Sequence, residues 1–323
     1  MNGTGESSLF SKKYRSLMLA IYMLALVSTF DFAMAEDHSK SILNLVIRPN
    51  KIEGVPASDT LKNQLLELIL EKTKDKYGDF VIKEYSSKIK QSRVISLIKH
   101  KETFRVIATM DSVKRRQDIR PIEIPIYKGL LSHRIFIIRE EDQPLFSKIK
   151  TKEQLQSLSA IQGHDWPDSD ILQNAGFKLR RSPNYAGIFN MLRLKRGDYF
   201  PRGAHEPWQE VLKHKDKKLS VEKTLLIQYD APFYFFVNYE DKELYNRIKD
   251  GFLLAIKNGS FDRLFYSHPE ILRIFKNANL SSRKLFRINN PDFIKHKTYN
   301  QDEFWYKMGD EERYWSSEKY RDY

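Results

Sequence analysis

The chain of 323 residues has no cysteine, which rules out a disulfide framework, a thiolate zinc site and a cysteine nucleophile together. Glycine and proline are sparse, 13 and 12 residues, so collagen-like sequence and low-complexity disorder are excluded. The single long apolar stretch is too short and too isolated for a multispan membrane protein. A nucleophile elbow (G-x-S-x-G), a phosphate loop, a dinucleotide fingerprint and an H-E-x-x-H pair are missing. No internal repeat occurs at solenoid spacing. What is present is 41% apolar and 30% charged residue content, on a length that allows roughly two domains.

Basic residues outnumber acidic ones, 55 to 42, a formal net charge of +13. They are spread along the chain, and the densest clusters, at 114–116 and 213–218, contain acids or adjoin them. Nucleic acid is therefore not an expected partner; an anionic ligand or a solvated basic surface is.

Lys12, Lys13 and Arg15 precede an apolar stretch over 17–30, which ends in Ala33-Met34-Ala35 before Glu36. A basic start, a short apolar run and a small-residue site predict a signal peptide over residues 1–35, cleaved after Ala35. The run is nearer 15 residues than the roughly 20 a spanning helix needs, and Asp31 interrupts it. Removing three basic and two acidic residues leaves 52 and 40, so the mature chain stays basic at +12. With no cysteine for a lipid anchor, the expected product is a soluble protein of a bacterial periplasm. On that ground Asn258-Gly259-Ser260 reads as a turn and not a glycosylation site.

Residues 41–48 form a first predicted strand, closed by Pro49. Ser58 or Asp59 caps a predicted helix whose Leu61, Leu65, Leu68 and Ile69 recur at helical spacing. A strand over 80–85, a helix over 93–99 and a strand over 104–110 complete a pattern that predicts a parallel sheet with crossover helices. After an extended, proline-punctuated segment at 119–126, a second α/β series starts at the apolar strand 134–139. It continues with helices over 152–158, 168–175, 185–194 and 205–212 and short strands at 159–162, 177–181 and 198–200. Residues 225–237 (LLIQYDAPFYFFV) are the most β-prone stretch, broken only at Pro232. Helices over 241–257 and 260–267 follow, the second ended by Pro269, and the last 50 residues show no clear period. Two α/β units with a return strand imply two lobes with a site between them.

The element order over residues 42–268 resembles the bacterial solute-binding proteins of the polar amino-acid type. Four local matches accompany it: Thr109 to Arg115 after the third strand; Pro125-Ile126-Tyr127-Lys128-Gly129; the helix, short strand and glycine turn over 155–163; and the closing helices and N-G-S turn over 241–265. In that turn Gly259 suits a left-handed helix end and Ser260 can start the next helix. The segments at 163–168 and 198–203 resemble a divergent branch of the same family. The resemblance implies an α/β, two-lobed type II periplasmic-binding-protein fold, each lobe a mixed or parallel sheet flanked by helices, hinged on two crossover strands. Lobe one would hold residues 41–131 and 231–270, lobe two 132–230, with 271–323 packed on or trailing from lobe one.

It also implies a binding role. The family's Thr/Ser-x-x-Arg falls on Ser112 and Arg115, or on Arg116 if the register slips by one, and that arginine grips a ligand carboxylate bidentately. Ser112 either donates to the ligand or caps the next helix. Asp168 and Ser169 start a helix whose free N–H groups favour anions. Trp166 offers a face for stacking or is a core aromatic; Arg202 and Glu206 face the cleft or the solvent. Tyr185 and the Arg48-Pro49-Asn50 turn are further candidates. The family's ammonium-holding carboxylate would fall on Gly203, so that anchor is absent or displaced, which puts a standard α-amino acid in doubt. His164-Asp165 and His205-Glu206 lack metal-ligand spacing, and no metal, cofactor or catalysis is expected. The expected role is a monomeric binder of a small polar or anionic solute, delivered to an inner-membrane permease or a sensor. The alternatives are an orphan sensory or scaffold module acting through a protein partner, and a periplasmic enzyme.

Overall fold

A computed structural model describes residues 42–49, 56–293, 301–307 and 309–312; the expected signal peptide lies outside them. Leu43–Ile47 (β1) buries Leu45 and Ile47 and is followed by Leu61–Glu71 (α1), which buries Leu61, Leu65, Leu66, Ile69 and Leu70 on one face. Ser58 and Asp59 lie in a short 3₁₀ turn, so neither caps α1. Thr60 holds the cap position, and its hydroxyl donates to the Ala57 carbonyl at 2.8 Å. Phe80–Glu84 (β2) pairs parallel with β1, and Gln91–Lys99 (α2) leads to Val106–Met110 (β3).

Here the expected parallel sheet stops. After Val113–Asp118 (α3) and Arg120–Ile122 (β4), the chain leaves, builds the second lobe and returns as Phe233–Val237, which inserts antiparallel between β3 and β4. The ladder of β3 is thus completed by a strand more than a hundred residues later, beyond the reach of any local pattern.

The second lobe carries His133–Arg139 (β5), Lys152–Ser157 (α4), Ser159–Gly163 (β6), Pro167–Asn174 (α5), Lys178–Ser182 (β7), Tyr185–Arg193 (α6), Tyr199–Gly203 (β8), Pro207–Lys213 (α7), Leu219–Val221 (β9) and Leu225–Gln228 (β10). Its sheet runs β10-β5-β8-β6-β7, with β9 also on β5; β6 is parallel to β7 and β8, while β5 is antiparallel to its neighbours. The stretch 225–237 is therefore two strands in two sheets, β10 and the returning Phe233–Val237 (β11), and residues 229–232 between them are a crossing. That crossing lies against the outgoing one at 123–132. Tyr229 N–H and Ala231 N–H donate to the Ser132 carbonyl and hydroxyl at 3.2 and 3.3 Å, and Ile126 N–H donates to the Phe233 carbonyl at 2.9 Å.

Lys242–Lys257 (α8) and Ser260–Ser267 (α9) close the first lobe. Gly259 between them is left-handed, φ 74°, as the N-G-S turn requires. Phe252, Phe261 and Phe265 are fully buried and meet edge to face at 5.0 and 5.9 Å. Burying each such ring contributes on the order of 1.5–3 kcal/mol.

The last residues are more ordered than their composition suggests. Pro269–Asn277 (α10) follows α9 directly, and Lys284–Arg287 (β12) joins the second lobe's sheet as a parallel edge strand on β10. Farther on, Phe304 is buried in the first lobe's core, and Tyr306 N–H donates to the Lys128 carbonyl at 2.8 Å. So the described residues after 270 add a strand to the second lobe's sheet as well as packing a phenylalanine into the first lobe's core. Four residues with one buried side chain are too short to read as a strand from sequence.

Two predictions follow from this packing. A Cβ on Gly251 of α8 would stand 2.4 Å from the Ile69 carbonyl oxygen of α1, so Gly251→Ala should destabilise the fold by about 1–3 kcal/mol in urea titration. His268 caps α10 by accepting the Glu270 N–H at 3.1 Å, and burial holds its imidazole down, to about 4. Between pH 6.5, where a free histidine titrates, and pH 4, the unfolded chain takes a proton that the folded one refuses. Stability should fall as pH drops through that window, by about 3 kcal/mol at most, and His268→Asn should flatten the slope.

Candidate functional site

A cavity of about 170 Å³ opens between the two sheets, beside the crossings. From the first lobe, the ends of β1 and β3 and the starts of α1 and α3 reach it with Arg48, Lys62, Thr109 and Arg115. Opposite stand Trp166 and Asp168, at the start of α5, and Arg202 and Glu206, where β8 runs into α7. Arg134 and Phe233 line its floor.

Ser112 is the N-cap of α3; its hydroxyl accepts the Arg115 N–H at 3.3 Å, so it positions Arg115 and is not itself on the cavity. Arg115 is 7% exposed. Its Nη1 donates to the Met110 carbonyl at 2.7 Å and its Nη2 to Gln91 Oε1 at 2.6 Å. Burial pushes the guanidinium down, to about 10, and it stays charged at neutral pH. Between the two candidate registers, only Arg115 lines the cavity. Arg116 makes two 2.8 Å bonds to the Asp111 carboxylate and a third to Glu123 at 2.6 Å, which hold it in the wall of the first lobe. Those carboxylates raise its pKa despite the burial that opposes them.

In the second lobe the carboxylates and guanidinium groups that line the cavity are already matched. Asp168 takes Arg134 Nη2 at 2.9 Å and the Tyr229 hydroxyl, and Arg134 Nε donates to that same hydroxyl at 2.8 Å. Arg202 bonds Glu210 at 2.6 and 2.8 Å and also Glu206, whose second oxygen accepts the Gly203 N–H at 3.1 Å. Trp166 stacks on Phe200 with ring centroids 6.1 Å apart, and the Arg202 guanidinium carbon is 5.1 Å from the indole.

Two more expected residues, besides Ser112 and Arg116, do not line the cavity. Ser169 is fully buried and donates to the Gly163 carbonyl at 2.6 Å, which fixes the turn before α5. Tyr185 donates to Glu210 at 2.6 Å, so it supports the Arg202 cluster from behind.

The structure adds residues that pattern reading passed over. Thr109 is fully buried at the cavity wall, and its hydroxyl has no hydrogen-bond partner among the described residues. Arg134 starts an apolar strand and was legible only as a charge before a run of isoleucines. Lys62 and Glu270 come from α1 and α10, and burial lowers the Lys62 pKa while Glu270 opposes it. Burial likewise raises the pKa of Glu270, which accepts the Tyr127 hydroxyl at 3.3 Å. Among the described residues no three His, Asp or Glu side chains group to hold a metal ion, and no helix is long and apolar enough to cross a membrane.

No family model and no curated protein matches the sequence. Solved structures do match in three dimensions. An ancestral arginine-binding protein bound to glutamine superposes at a TM-score of 0.54 with 13% identity, over 72% of this chain and 100% of that one. An ancestral arginine-binding protein bound to arginine gives 0.53, 13%, 71% and 98%. A histidine kinase sensor domain with similarity to periplasmic binding proteins gives 0.53, 16%, 72% and 98%. This is the two-lobed periplasmic-binding-protein fold. Identities this low speak to the fold alone. Within that fold the cavity occupies the cleft between lobes, where sheet ends and helix starts converge.

The Arg202 cluster yields a stability prediction. Glu210 is almost fully buried and is one of two acids on Arg202, so Glu210→Gln should cost about 3 kcal/mol by chemical denaturation, held down by the Glu206 contact that remains. Tyr185→Phe removes one hydrogen bond to that acid and should cost about 1 kcal/mol.

Proposed function

We propose that the protein binds a small polar or anionic solute in the cleft, closes its lobes over it, and presents it from the periplasm to a membrane permease or a sensor. One observation carries this reading. Arg115 is fixed by two neutral acceptors, has no carboxylate at contact distance among the described residues, and lines a cavity whose far wall is the other lobe. A buried donor without a partner is costly, and a guanidinium held in place can give its remaining N–H groups to a carboxylate. The resemblance of the Ser112-x-x-Arg115 segment to amino-acid binders supports the same role, as do neighbours that bind arginine and glutamine. That one neighbour is a sensor domain keeps signalling beside transport as the destination.

The test is thermal denaturation of the full chain against a broad panel of organic acids, amino acids and peptides. At a concentration 100-fold above Kd, a true ligand adds about 2.7 kcal/mol, several degrees of Tm for a body of this size. Arg115→Ala should weaken binding by about 30-fold or more. A parent protein that no panel member stabilises would overturn the solute reading; an Arg115→Ala variant that binds like the parent would overturn the residue assignment.

A further inference from the structure

If the cleft binds a solute, its charges narrow the chemistry of that solute. The cavity is lined by five cationic side chains other than histidine. Arg134 and Arg202 are matched at contact distance by Asp168, Glu206 and Glu210. Arg48, Lys62 and Arg115 are not: among the described residues no carboxylate lies within 4.0 Å of any of them. The three line one side of the same cavity, and repulsion from Arg48 adds to the burial that lowers the pKa of Lys62 and Arg115. The acid on their side, Glu270, already accepts the Tyr127 hydroxyl. The first-lobe wall therefore carries three cations against one carboxylate.

On the opposite wall every carboxylate that lines the cavity is already engaged; Asp165, exposed just outside the lining, attracts Arg48 and Arg115 from a distance. A side chain at position 203 would have to enter space already filled. A Cβ there would meet Leu131 Cδ2 at 2.5 Å, Arg134 Nη1 at 3.1 Å and Glu206 Oε2 at 3.3 Å. A guanidinium thus stands beside the place from which a carboxylate would hold an amine, and Glu206 is already bonded to Arg202 and the Gly203 N–H. A zwitterion would bring one positive charge into a cleft with surplus cations. An acid with two carboxylates can give one to each end of the first-lobe wall, whose three cations have no acid at contact distance among the described residues.

We propose that the solute is a short-chain organic diacid without an amine. One carboxylate sits on Arg115 and the other on Lys62, with Arg48 on the same wall. A cavity of about 170 Å³ suits this size, since one of about 150 Å³ takes benzene and the cleft mouth adds room.

Calorimetric titration of the full chain with succinate, glutarate, butyrate, L-glutamine, L-arginine and inorganic phosphate decides it. Succinate or glutarate should bind about 30-fold or more tighter than butyrate, the acid with a single carboxylate. Lys62→Gln should bring the diacid down to the butyrate level, and Arg48→Gln, checked as folded by its unliganded Tm, should narrow the gap as well. Tighter binding of L-glutamine, L-arginine or phosphate than of either diacid overturns the inference and leaves the cleft reading standing. So does a diacid preference that survives both variants, or a ligand found by the wider panel when none of these six binds. Silence of both panels overturns the two readings together.

Discussion

Buried guanidinium groups need acceptors, because a charge left bare in a low-dielectric seam costs several kcal/mol. Most of the buried arginines here meet that need within the fold. Arg139 gives Nη1 to the Leu192 and Gly197 carbonyls at 2.8 Å each, Arg283 gives Nη1 to the Glu222 carbonyl at 2.7 Å, and Arg247 reaches the Gly78 carbonyl at 2.7 Å. Arg134 and Arg202 take carboxylates of their own lobe. Arg115 has a carbonyl and an amide oxygen but no acid in contact, and it faces the cavity. Arg247 too has no acid in contact among the described residues, but carbonyls and a hydroxyl surround it inside the first lobe, whereas Arg115 turns toward the cleft.

Geometry puts Arg115 where two bodies meet. The chain crosses between the sheets at 123–132 and 229–232, and Ser132 ties the crossings to each other through its carbonyl and hydroxyl. A third tie comes from the C-terminal segment. Ile288 N–H donates to the Gln228 carbonyl at 3.0 Å and Asn290 to the Asp230 carbonyl at 2.8 Å, next to the second crossing. On the first-lobe side the Lys128 ammonium meets Asp262 at 2.8 Å and the Glu303 carbonyl at 3.1 Å. Segments on both sides of the crossings are therefore held by backbone bonds to residues beyond 270, so any motion of one lobe against the other must bend or release these contacts.

How much of this was legible in the chain depended on the range of each interaction. Elements whose signal is local could be read: the α1 face, the apolar β5, the left-handed Gly259, and Ser112 as a helix cap. The pairing of β3 with β11 and of β10 with β12 could not, because each joins strands far apart in sequence whose own patterns are only four or five residues long. The site divided along the same line. Arg115, Trp166, Asp168, Arg202 and Glu206 sit at element ends, where motif spacing points, and all reach the cavity. Arg116 differs from Arg115 by one residue, about 100° around the helix, and that turn is enough to aim it at Asp111 and Glu123 instead. Lys62, Arg134 and Glu270 come from elements whose sequence advertises only packing; their charges matter because the tertiary fold brings them to the same seam.

Charge also bears on how the lobes would come together. Asp165, exposed just before α5 in the second lobe, raises the pKa of both Arg48 and Arg115 on the first, so its attraction already acts across the cleft. Against it stands the mutual repulsion of Arg48 with Lys62 and Arg115, which burial strengthens by thinning the solvent that screens them. A guest shifts such a balance only through interactions that differ between the two arrangements. An anion that neutralises the first-lobe cations removes the repulsion and lets the wall that carries Trp166 close over it. Recognition and closure would then draw on the same unmatched charges.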